Sequence, residues 1–545
     1  MNGKQFKLIS IVLVIFIVIS LFAGCVAQPN SEVSQPSKTD VPIELAPYES
    51  NNYPIKTDVV LTLWGVPYAN QSAVFDNTAD TEWYKEVEKR TGIKVEFVHP
   101  QNREALSVMM ATGDLPDMLS NQWHRYPGNV QRLFADGLIV NLNDVKEYAP
   151  NYFNFLSDNY EQVGRYLESD KGEIFGFTSI EAKEGLSDWG PVIRKDWLDD
   201  LGLNVPETID EWYITLTEFK NKKNATAPLV GGIPDDAFII GAYGIKNSLM
   251  VDDDGKIIYG PMQPSYKGYL STLAKWYAEG LIDKDFASLQ SQLRNSKLIQ
   301  GEAGADVRYA GVLNSINSVG LENDPKYNLV AAPWPTLNKG ERPKIGVSYW
   351  QVSTSDETIV LTVQSKNKEL AARWCDYSYS DEGIILANFG VEGKSYTINS
   401  QGIYRYTDEL YNSPNGWSLF QEKAKWTRSN ASGAYIRHEM LNLANAPEKF
   451  LNHYIDAYNI WSDTGVMKHN LLPVSIPADK GAEANTILNE VKTYVDEMLY
   501  KFIFGDISID DTNFNQYVSH VGKMKIDKVL DVHQETYDSV IKKTK

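Results

Sequence analysis

The stretch that decides the fold starts with DVVLTLW at residues 58–64. Its consecutive apolar residues predict a short strand, and the residues after it predict a helix at 80–91 with Trp83 and Val87 on one face. The alternation continues with a strand at 93–98, a helix at 103–112 and a short buried strand at 117–119. A β-α-β-α-β order of this kind predicts a parallel sheet with helices on both faces.

A second α/β region is predicted to begin near Trp189. The sequence TIDE at 208–211 matches a capping box, which predicts the start of a helix. Three aspartates and a glycine at 252–255 stand between apolar residues and predict a hairpin turn. Farther on, the pattern predicts strands at 346–352 and 358–363 and a helix at 368–379, and after residue 400 it is mostly helical.

The composition is that of a globular chain large enough for two lobes or for two to three domains. Of its 545 residues 43% are hydrophobic and 23% charged, and the mean hydropathy is −0.34. These values exclude a mainly disordered chain and a protein with several membrane spans. The net charge of −19 argues against a nucleic-acid partner, which requires a basic surface. With only Cys25 and Cys375, the chain has no disulfide scaffold and no site of several thiolates.

The N-terminus carries the features of a secretory signal. Lys4 and Lys7 precede an apolar run at residues 8–22, which is shorter than the ~20 residues of a membrane span and fits the apolar core of a signal peptide. The run ends in LFAGC, which resembles the bacterial lipobox, where cleavage precedes a cysteine that receives a lipid. This resemblance implies a signal peptide at 1–24 and lipidation of Cys25. A plain anchor helix with an incidental cysteine is the alternative.

Residues 25–53 are predicted to form a flexible tether between the lipid and the folded part. They are rich in proline and serine and contain no aromatic residue before Tyr48. Removal of the signal peptide takes away Lys4 and Lys7, which leaves 50 basic against 71 acidic residues and a net charge of −21. Lipidation and export together predict a protein held on the outer face of a bacterial cell membrane.

Familiar catalytic and metal-binding motifs are missing from the sequence. It contains no Gly-x-Gly-x-x-Gly, no Walker phosphate loop and no Gly-x-Ser-x-Gly elbow, and its seven histidines never fall four apart as in a helical metal site. The acidic run at 252–255 fails as an EF-hand, because the first loop position would be Met250. Cys375 lies in an amphipathic pattern and is predicted to pack rather than react. We therefore predict no catalytic residue, no metal ion and no cofactor.

Three motifs resemble those of extracellular solute-binding proteins of carbohydrate ABC transporters. They are ATGDLPD at 111–117, VIRKDWLDDLGLNVPETIDEW at 192–212 and ANFGVEGKSY at 387–396. The resemblance covers nearly the whole chain after the tether and is nearest to the lipoprotein branch that includes the LplA-like and alginate-binding proteins. It implies a periplasmic-binding-protein-like α/β fold with two lobes joined by a hinge, a ligand cleft between them and a helical C-terminal region.

The same resemblance implies how the chain is divided. Lobe 1 would comprise residues 54–180 and 351–397, and lobe 2 residues 181–350 and 398–545. Some relatives hold calcium in an acidic loop after the helix that the capping box begins. Here that place, residues 220–229, contains no acidic residue, so no calcium site is predicted.

Sugar rings offer an apolar face to tryptophan and tyrosine, and hydroxyl groups to amides, carboxylates and arginine. Such residues at predicted strand ends, lobe crossings and loops are the candidate ligand contacts: Trp64, Asn121, Gln122, Trp123, Trp189, Arg308, Tyr309, Tyr349, Trp350 and Trp417. Six other tryptophans fall within helical patterns and are predicted to pack in the core: Trp83, Trp197, Trp212, Trp276, Trp374 and Trp461. Because the chain is acidic and Arg308 is the one basic candidate, a neutral oligosaccharide is expected.

These features predict a substrate-binding lipoprotein of an ABC importer. It would be a monomer that binds an oligosaccharide between its lobes and delivers it to the permease subunits, with its N-terminal lipid in the membrane. The alternatives are a lipoprotein that presents its ligand to a membrane sensor and a surface glycan hydrolase. A peptide is an alternative ligand.

Overall fold

The computed structural model describes residues 53–100, 105–123, 129–169, 171–182, 184–233, 237–348, 357–428, 435–446, 448–472, 476 and 478–542. The predicted signal peptide and all but the last residue of the predicted tether lie outside these residues.

Strands and helices alternate through much of this part of the chain. The strands are β1 (Val60–Gly65), β2 (Lys94–Val98), β3 (Met118–Asn121), β4 (Phe177–Thr178), β5 (Ile180–Glu181), β6 (Trp189–Arg194), β7 (Leu249–Val251), β8 (Ile257–Tyr259), β9 (Ala305–Tyr309), β10 (Leu329–Ala331), β11 (Thr358–Leu361), β12 (Tyr396–Ile398), β13 (Tyr404–Tyr406) and β14 (Tyr435–Ile436).

The α-helices are α1 (Ala69–Ser72), α2 (Glu82–Thr91), α3 (Ala105–Thr112), α4 (Asn129–Ala135), α5 (Pro150–Asp158), α6 (Arg165–Leu167), α7 (Lys195–Leu201), α8 (Ile209–Lys222), α9 (Phe238–Ala242), α10 (Pro264–Ala278), α11 (Ser291–Gln300), α12 (Ala310–Asn323), α13 (Lys368–Asp376), α14 (Asp381–Phe389), α15 (Asp408–Tyr411), α16 (Leu419–Trp426), α17 (His438–Asn445), α18 (Leu451–Ser462), α19 (Ala478–Phe504), α20 (Asp511–Lys523) and α21 (Ile526–Lys542).

The sheet of lobe 1 has the strand order β2-β1-β3-β11-β4. As predicted, β1 runs parallel to β2 and β3, with Leu63 opposite Phe97 on one side and Met118 on the other. β11 returns antiparallel between β3 and β4. Neighbouring residues of β1 enter two different cores, Leu63 on one face and Trp64 with Leu119 on the other. A strand buried on both faces explains the continuous apolar run that opens the fold.

Helix α2 shows how local sequence places the elements around this sheet. Thr81 caps its N-terminus, since its Oγ1 accepts a hydrogen bond from the Tyr84 N–H at 3.2 Å. Gly92 ends the helix with φ +70°, a conformation that favours glycine. Trp83 and Val87 expose only 4% each and pack in the core of lobe 1, as their spacing predicts.

Lobe 2 is built on a three-stranded sheet, β10-β6-β9, in which each pair is antiparallel. The predicted second α/β region is therefore present, with an antiparallel central sheet. The Thr208 Oγ1 accepts a hydrogen bond from the Glu211 N–H at 3.2 Å and so caps α8 as predicted. This helix buries Trp212, Leu216 and Phe219 completely.

β7 and β8 form the predicted hairpin. In its turn the Asp252 Oδ1 accepts a hydrogen bond from the Asp254 N–H at 2.9 Å. Asp253 pairs instead with the ammonium groups of Lys344 at 2.7 Å and Lys468 at 3.1 Å. The acidic run is thus a surface turn held by lysines of the same lobe.

The predicted helical C-terminal region is confirmed by α19, α20 and α21. Ile487, Val491 and Phe502 are buried in the lobe 2 core, and Tyr494 and Met498 are packed against it. No helix in the described part of the chain is both long and apolar enough to cross a bilayer.

Two further predictions can be compared with the structure. The tryptophans predicted to pack are all buried, with at most 8% exposure: Trp83, Trp197, Trp212, Trp276, Trp374 and Trp461. The strand predicted at 346–352 is not formed over its described residues, 346–348, which are irregular. There the Ser348 carbonyl accepts a hydrogen bond from a side chain, Asn470 Nδ2, at 3.3 Å.

Residues 398–428, which were predicted to belong to lobe 2, contact lobe 1. Trp417 packs edge-on against Phe75 with ring centroids 5.7 Å apart. The Arg428 guanidinium lies over the ring of Trp83 at 5.5 Å. We therefore propose that lobe 1 extends through residue 428.

Candidate ligand-binding site

The carboxyl edge of the lobe 1 sheet contains a crevice where the strand order reverses. The chain passes from β1 to β2 on one side, whereas β3 lies on the other, so the loops after β1 and β3 diverge. Gly65 ends β1 so close to Ser120 that a Cβ at residue 65 would lie 3.2 Å from the Ser120 Cβ. The crevice has a volume of about 70 Å³ and is lined by these two residues together with, among others, Tyr68, Gln71, His99, Glu357 and Arg428. We call it the switch-point crevice.

His99 forms part of its wall and has a hydrogen-bond partner on each ring nitrogen. Its Nδ1 lies 2.8 Å from the Gly65 carbonyl oxygen, and its Nε2 lies 2.9 Å from the Thr78 Oγ1. The Thr78 N–H donates to Nε2 at 3.2 Å, which requires Nε2 to be unprotonated. Burial lowers the pKa of His99 and so favours this neutral ring. His99 therefore contributes shape rather than charge to the crevice.

Glu357 and Arg428 bring opposite charges to the same crevice. The guanidinium carbon of Arg428 lies 5.5 Å and 5.7 Å from the ring centres of Trp83 and Trp374. Its Nη1 donates a hydrogen bond to the Ser378 Oγ at 3.3 Å, and no carboxylate of the described residues pairs with it within 4.0 Å. Burial lowers the pKa of Arg428, while attraction from Cys375, Tyr379 and, to a smaller extent, Glu357 acts in the opposite direction. Glu357 itself exposes only 5% of its surface.

Sequence patterns do not predict these crevice residues as ligand contacts. His99 directly follows β2, so the strand-end rule that selected Trp64 could have found it. Glu357 and Arg428 stand before β11 and after α16, more than 200 residues from β1 in sequence. No local pattern marks them, because only the packing of the chain brings them to the sheet edge.

A larger cavity, of about 400 Å³, receives side chains from both lobes. Lobe 1 contributes Glu161, Gln162 and Tyr166, the segment between β5 and β6 contributes Glu184, and lobe 2 contributes Met467, Lys468, Asn470, Leu472, Tyr537 and Ile541. Small-molecule sites typically occupy ~300–1,000 Å³. The cavity is therefore large enough for a sugar ring and offers it tyrosine, carboxylate, amide and ammonium groups.

Trp189 and Tyr309 form an aromatic surface where the chain enters lobe 2. They are partners across β6 and β9, with ring centroids 4.2 Å apart and ring planes at 74°. Tyr309 exposes 48% of its surface, and Trp189 is half-buried. Partial burial raises the pKa of Tyr309, so its phenol stays protonated and able to donate a hydrogen bond. These two predicted contacts thus lie together and present a ring face to solvent, as sugar stacking requires.

Arg308, predicted to serve sugar hydroxyls, is occupied within the protein. It exposes 2% of its surface, and its Nε lies 2.7 Å from the Asp306 Oδ2. Its Nη1 and Nη2 donate hydrogen bonds to the Ser291 Oγ at 3.0 Å and the Ser291 carbonyl at 3.1 Å. The buried Asp306 also pairs with Arg294. In this structure Arg308 ties β9 to α11 behind Tyr309, and its role as a ligand contact stays a prediction.

Three candidates at the end of the first and third strands are also core residues. Trp64 and Trp123 expose 3% each and pack in one apolar cluster, and Asn121 exposes 4%. The Trp123 Nε1 donates a hydrogen bond to the Thr358 carbonyl at 2.9 Å, which uses its only polar group. The structure therefore packs both tryptophans in the core of lobe 1, with little ring surface exposed.

The remaining candidates fall into two groups. Gln122 and Trp417 are half-buried, Trp417 against Phe75, and both keep surface that a ligand can reach. Tyr349 and Trp350, as well as the predicted lipid site Cys25, lie outside the described residues.

Comparison with known families identifies the kind of protein that carries this site. Residues 72–385 match the family model described as bacterial extracellular solute-binding protein. The chain belongs to this family. As a solute-binding protein it is similar to lipoprotein LipO of Bacillus subtilis (strain 168), at 26% identity over 457 residues that cover 80% of this chain and 84% of LipO.

Two other proteins extend the comparison of the solute-binding protein. The fructooligosaccharide ABC transporter substrate-binding protein FusA of Streptococcus pneumoniae serotype 4 is 24% identical over 479 residues, which cover 83% of this chain and 86% of FusA. The crystal structure of alginate-binding protein AlgQ2 without calcium ion superposes with a TM-score of 0.64 at 22% identity, covering 88% of this chain and 98% of AlgQ2. The likeness confirms the predicted two-lobed, periplasmic-binding-protein-like fold.

The site of the solute-binding protein is equipped for recognition. Two of the three similar proteins are named as binding proteins. Among the residues that the structure describes, no three His, Cys, Asp or Glu side chains are grouped so that they could hold a metal ion. The crevice, the cavity and the aromatic pair supply donors, acceptors and apolar faces, which together suit a polar ring compound.

Proposed function

We propose that this protein is the substrate-binding lipoprotein of an ABC importer and captures an oligosaccharide between its two lobes. The observation that carries the proposal is the cavity of about 400 Å³ that both lobes line in a chain of the solute-binding family. The exposed Tyr309 beside Trp189 adds an aromatic face for a sugar ring. The names of FusA and AlgQ2 support a carbohydrate as the ligand class.

Isothermal titration calorimetry on the mature protein tests the ligand class. Neutral oligosaccharides, uronate oligosaccharides and short peptides are titrated separately. We expect at least one oligosaccharide class to bind with a Kd of about 1 μM or tighter, a free energy of about −8 kcal/mol. Binding of peptides alone would contradict the proposal and favour a peptide importer.

We propose further that the protein transfers its ligand unchanged to a permease, as a monomer and not as an enzyme. Mass spectrometry of the oligosaccharide after incubation should show the original chain length, whereas shortened chains would favour the surface hydrolase. Deletion of the gene should abolish uptake of the labelled sugar. Normal uptake with a lost transcriptional response to the sugar would favour the sensor lipoprotein instead.

Anchoring by a lipid on Cys25, at the outer face of the membrane, completes the proposal. The support is the LFAGC sequence after an apolar run and the similarity to lipoprotein LipO. A fatty-acid probe should label the wild-type protein and Cys375→Ser, because Cys375 is buried, with 0% exposure. Cys25→Ser should lose the label and leave the membrane fraction. Equal labelling of Cys25→Ser would disprove the lipid site.

A further inference from the structure

The switch-point crevice contains two opposite charges that do not touch. Glu357 and Arg428 both line its wall, and each attracts the other. Among the described residues, the hydrogen bond that the Arg428 guanidinium donates is to the Ser378 hydroxyl, at the long distance of 3.3 Å. The guanidinium also lies over the indole rings of Trp83 and Trp374. The guanidinium, a fork of five donors, therefore has donor capacity left beside a buried carboxylate.

The size of the crevice limits what can enter between these charges. Its volume of about 70 Å³ is far below that of the cavity between the lobes, about 400 Å³. On the same measure one water molecule needs ~10–15 Å³, so the crevice has room for an exocyclic group or one edge of a sugar ring. Its floor is apolar, since Leu63, Trp83 and Phe97 line it and are buried. The crevice can therefore take one small group of a larger ligand.

The charges of Glu357 and Arg428 determine which chemical group of a ligand can bind between them. A hydroxyl accepts a hydrogen bond from the guanidinium and donates one to the carboxylate, so both bonds are assisted by charge. A ligand carboxylate bound to Arg428 would lie in the same small space as Glu357, where like charges repel in a low dielectric. A ligand ammonium would likewise be repelled by the guanidinium of Arg428.

We infer that Glu357 and Arg428 bind a hydroxyl group of a neutral sugar and thereby select neutral oligosaccharides over uronate oligosaccharides. The inference rests on the proposed function and adds the chemical class of its ligand. The arginine that binds the sugar hydroxyl is then Arg428 of lobe 1 and not Arg308, because the Nη1 and Nη2 groups of Arg308 donate to Ser291 within lobe 2. His99 is neutral and hydrogen-bonded on both ring nitrogens, so it adds no charge to the crevice.

Competition measured by native mass spectrometry tests the inference on the full mature protein. The probes are two mixtures of equal chain length, one of neutral fructo-, manno-, galacto- and xylo-oligosaccharides and one of galacturonate and alginate oligosaccharides. We expect the wild type to retain neutral species at least about tenfold more strongly. Glu357→Gln should weaken neutral binding about 10- to 100-fold, the range for a lost bond to a charged group, and raise uronate binding. Arg428→Lys, which keeps the charge but loses the fork, should weaken neutral binding about tenfold.

Asp376→Asn is the matched control, because it also changes a buried carboxyl of lobe 1 to an amide, with 0% exposure, outside the crevice. It should leave both affinities unchanged, and circular dichroism establishes that every variant is folded. Preferred retention of uronates by the wild type overturns this inference and leaves the proposed function standing. Unchanged affinity in folded Glu357→Gln overturns the assignment of the crevice. Retention of neither mixture overturns the proposed function, and this inference with it.

Discussion

At the scale of single residues, Tyr309 is the most exposed of the candidate aromatic contacts that the structure describes. It exposes 48% of its surface. Its neighbour Trp189 supports it edge-on at 4.2 Å, and the buried ion pair of Asp306 and Arg308 holds the strand behind it. Tyr309→Ala removes the exposed ring and leaves this support in place. We expect it to weaken oligosaccharide binding by about 1–2 kcal/mol, roughly 5- to 30-fold, measured by calorimetry.

Phe504→Ala is the control for this prediction, because Phe504 has a similar exposure, 45%, at the end of α19 and lines neither cavity. It should bind the sugar like the wild type. Equal losses in both variants would show that the effect comes from general destabilisation and not from the aromatic surface.

We expect Asp376 to make the stability of the protein depend on pH. It exposes 0% of its surface and accepts hydrogen bonds from the Tyr152 N–H at 2.8 Å and the Asn151 Nδ2 at 2.7 Å. Burial nevertheless raises its pKa from 3.8 to about 7. The native state therefore binds this proton more tightly than the unfolded chain, so this group lowers the free energy of unfolding as pH rises from about 4 to about 7. Over these three pH units, Asp376 should lower the free energy of unfolding by at most ~4 kcal/mol.

Asp376→Asn should remove this contribution. In urea unfolding at pH 5 and pH 8, we expect the variant to lose less stability than the wild type between the two values. Asp531→Asn, a change at an exposed carboxylate of α21, should follow the wild type. A steeper loss of stability with rising pH in Asp376→Asn would disprove the assignment.

At the scale of elements, helix α8 shows how a capping residue stabilises a lobe. Thr208 accepts the Glu211 N–H at 3.2 Å, is 6% exposed and precedes a helix that buries Trp212 and Phe219. We expect Thr208→Ala to lower the free energy of unfolding by about 1 kcal/mol, as for other lost N-caps. Thr208→Ser retains the hydroxyl and should keep most of the stability in urea unfolding. If both variants lose the same amount, packing of the methyl group and not the cap is responsible.

At the scale of the whole molecule, the cavity lined by both lobes predicts closure on the ligand. Tyr166 belongs to lobe 1 and Asn470 to lobe 2, yet both line the same space. A ligand that contacts both lobes favours the arrangement in which they are closest. Small-angle scattering should therefore give a smaller radius of gyration at saturation than without ligand. An oligosaccharide class that does not bind is the control, and an unchanged profile with the binding class would argue against closure.

Much of the architecture follows from local sequence. The continuous apolar residues of β1, the spacing of Trp83 and Val87, and the caps at Thr81 and Thr208 fix strands and helices, because these signals act between near neighbours in the chain. The family follows too, since the motifs at 111–117 and 192–212 lie within the part that matches the family model, residues 72–385. The pairing of Trp189 with Tyr309 is consistent with the strand-end rule, although the rule does not state that they touch.

Tertiary structure determines which polar and aromatic residues are accessible to a ligand. Trp64, Trp123 and Arg308 stand at or near strand ends, as Trp189 and Tyr309 do, yet packing in the core buries the two tryptophans and an ion pair with Asp306 engages Arg308. Glu357 and Arg428 carry no local signal and reach one crevice only because β11 and the segment after α16 fold back on lobe 1. Chain sequence thus determines the elements and the family, since these depend on short-range patterns. The composition of the binding surface depends on contacts between residues hundreds of positions apart, which only the folded chain establishes.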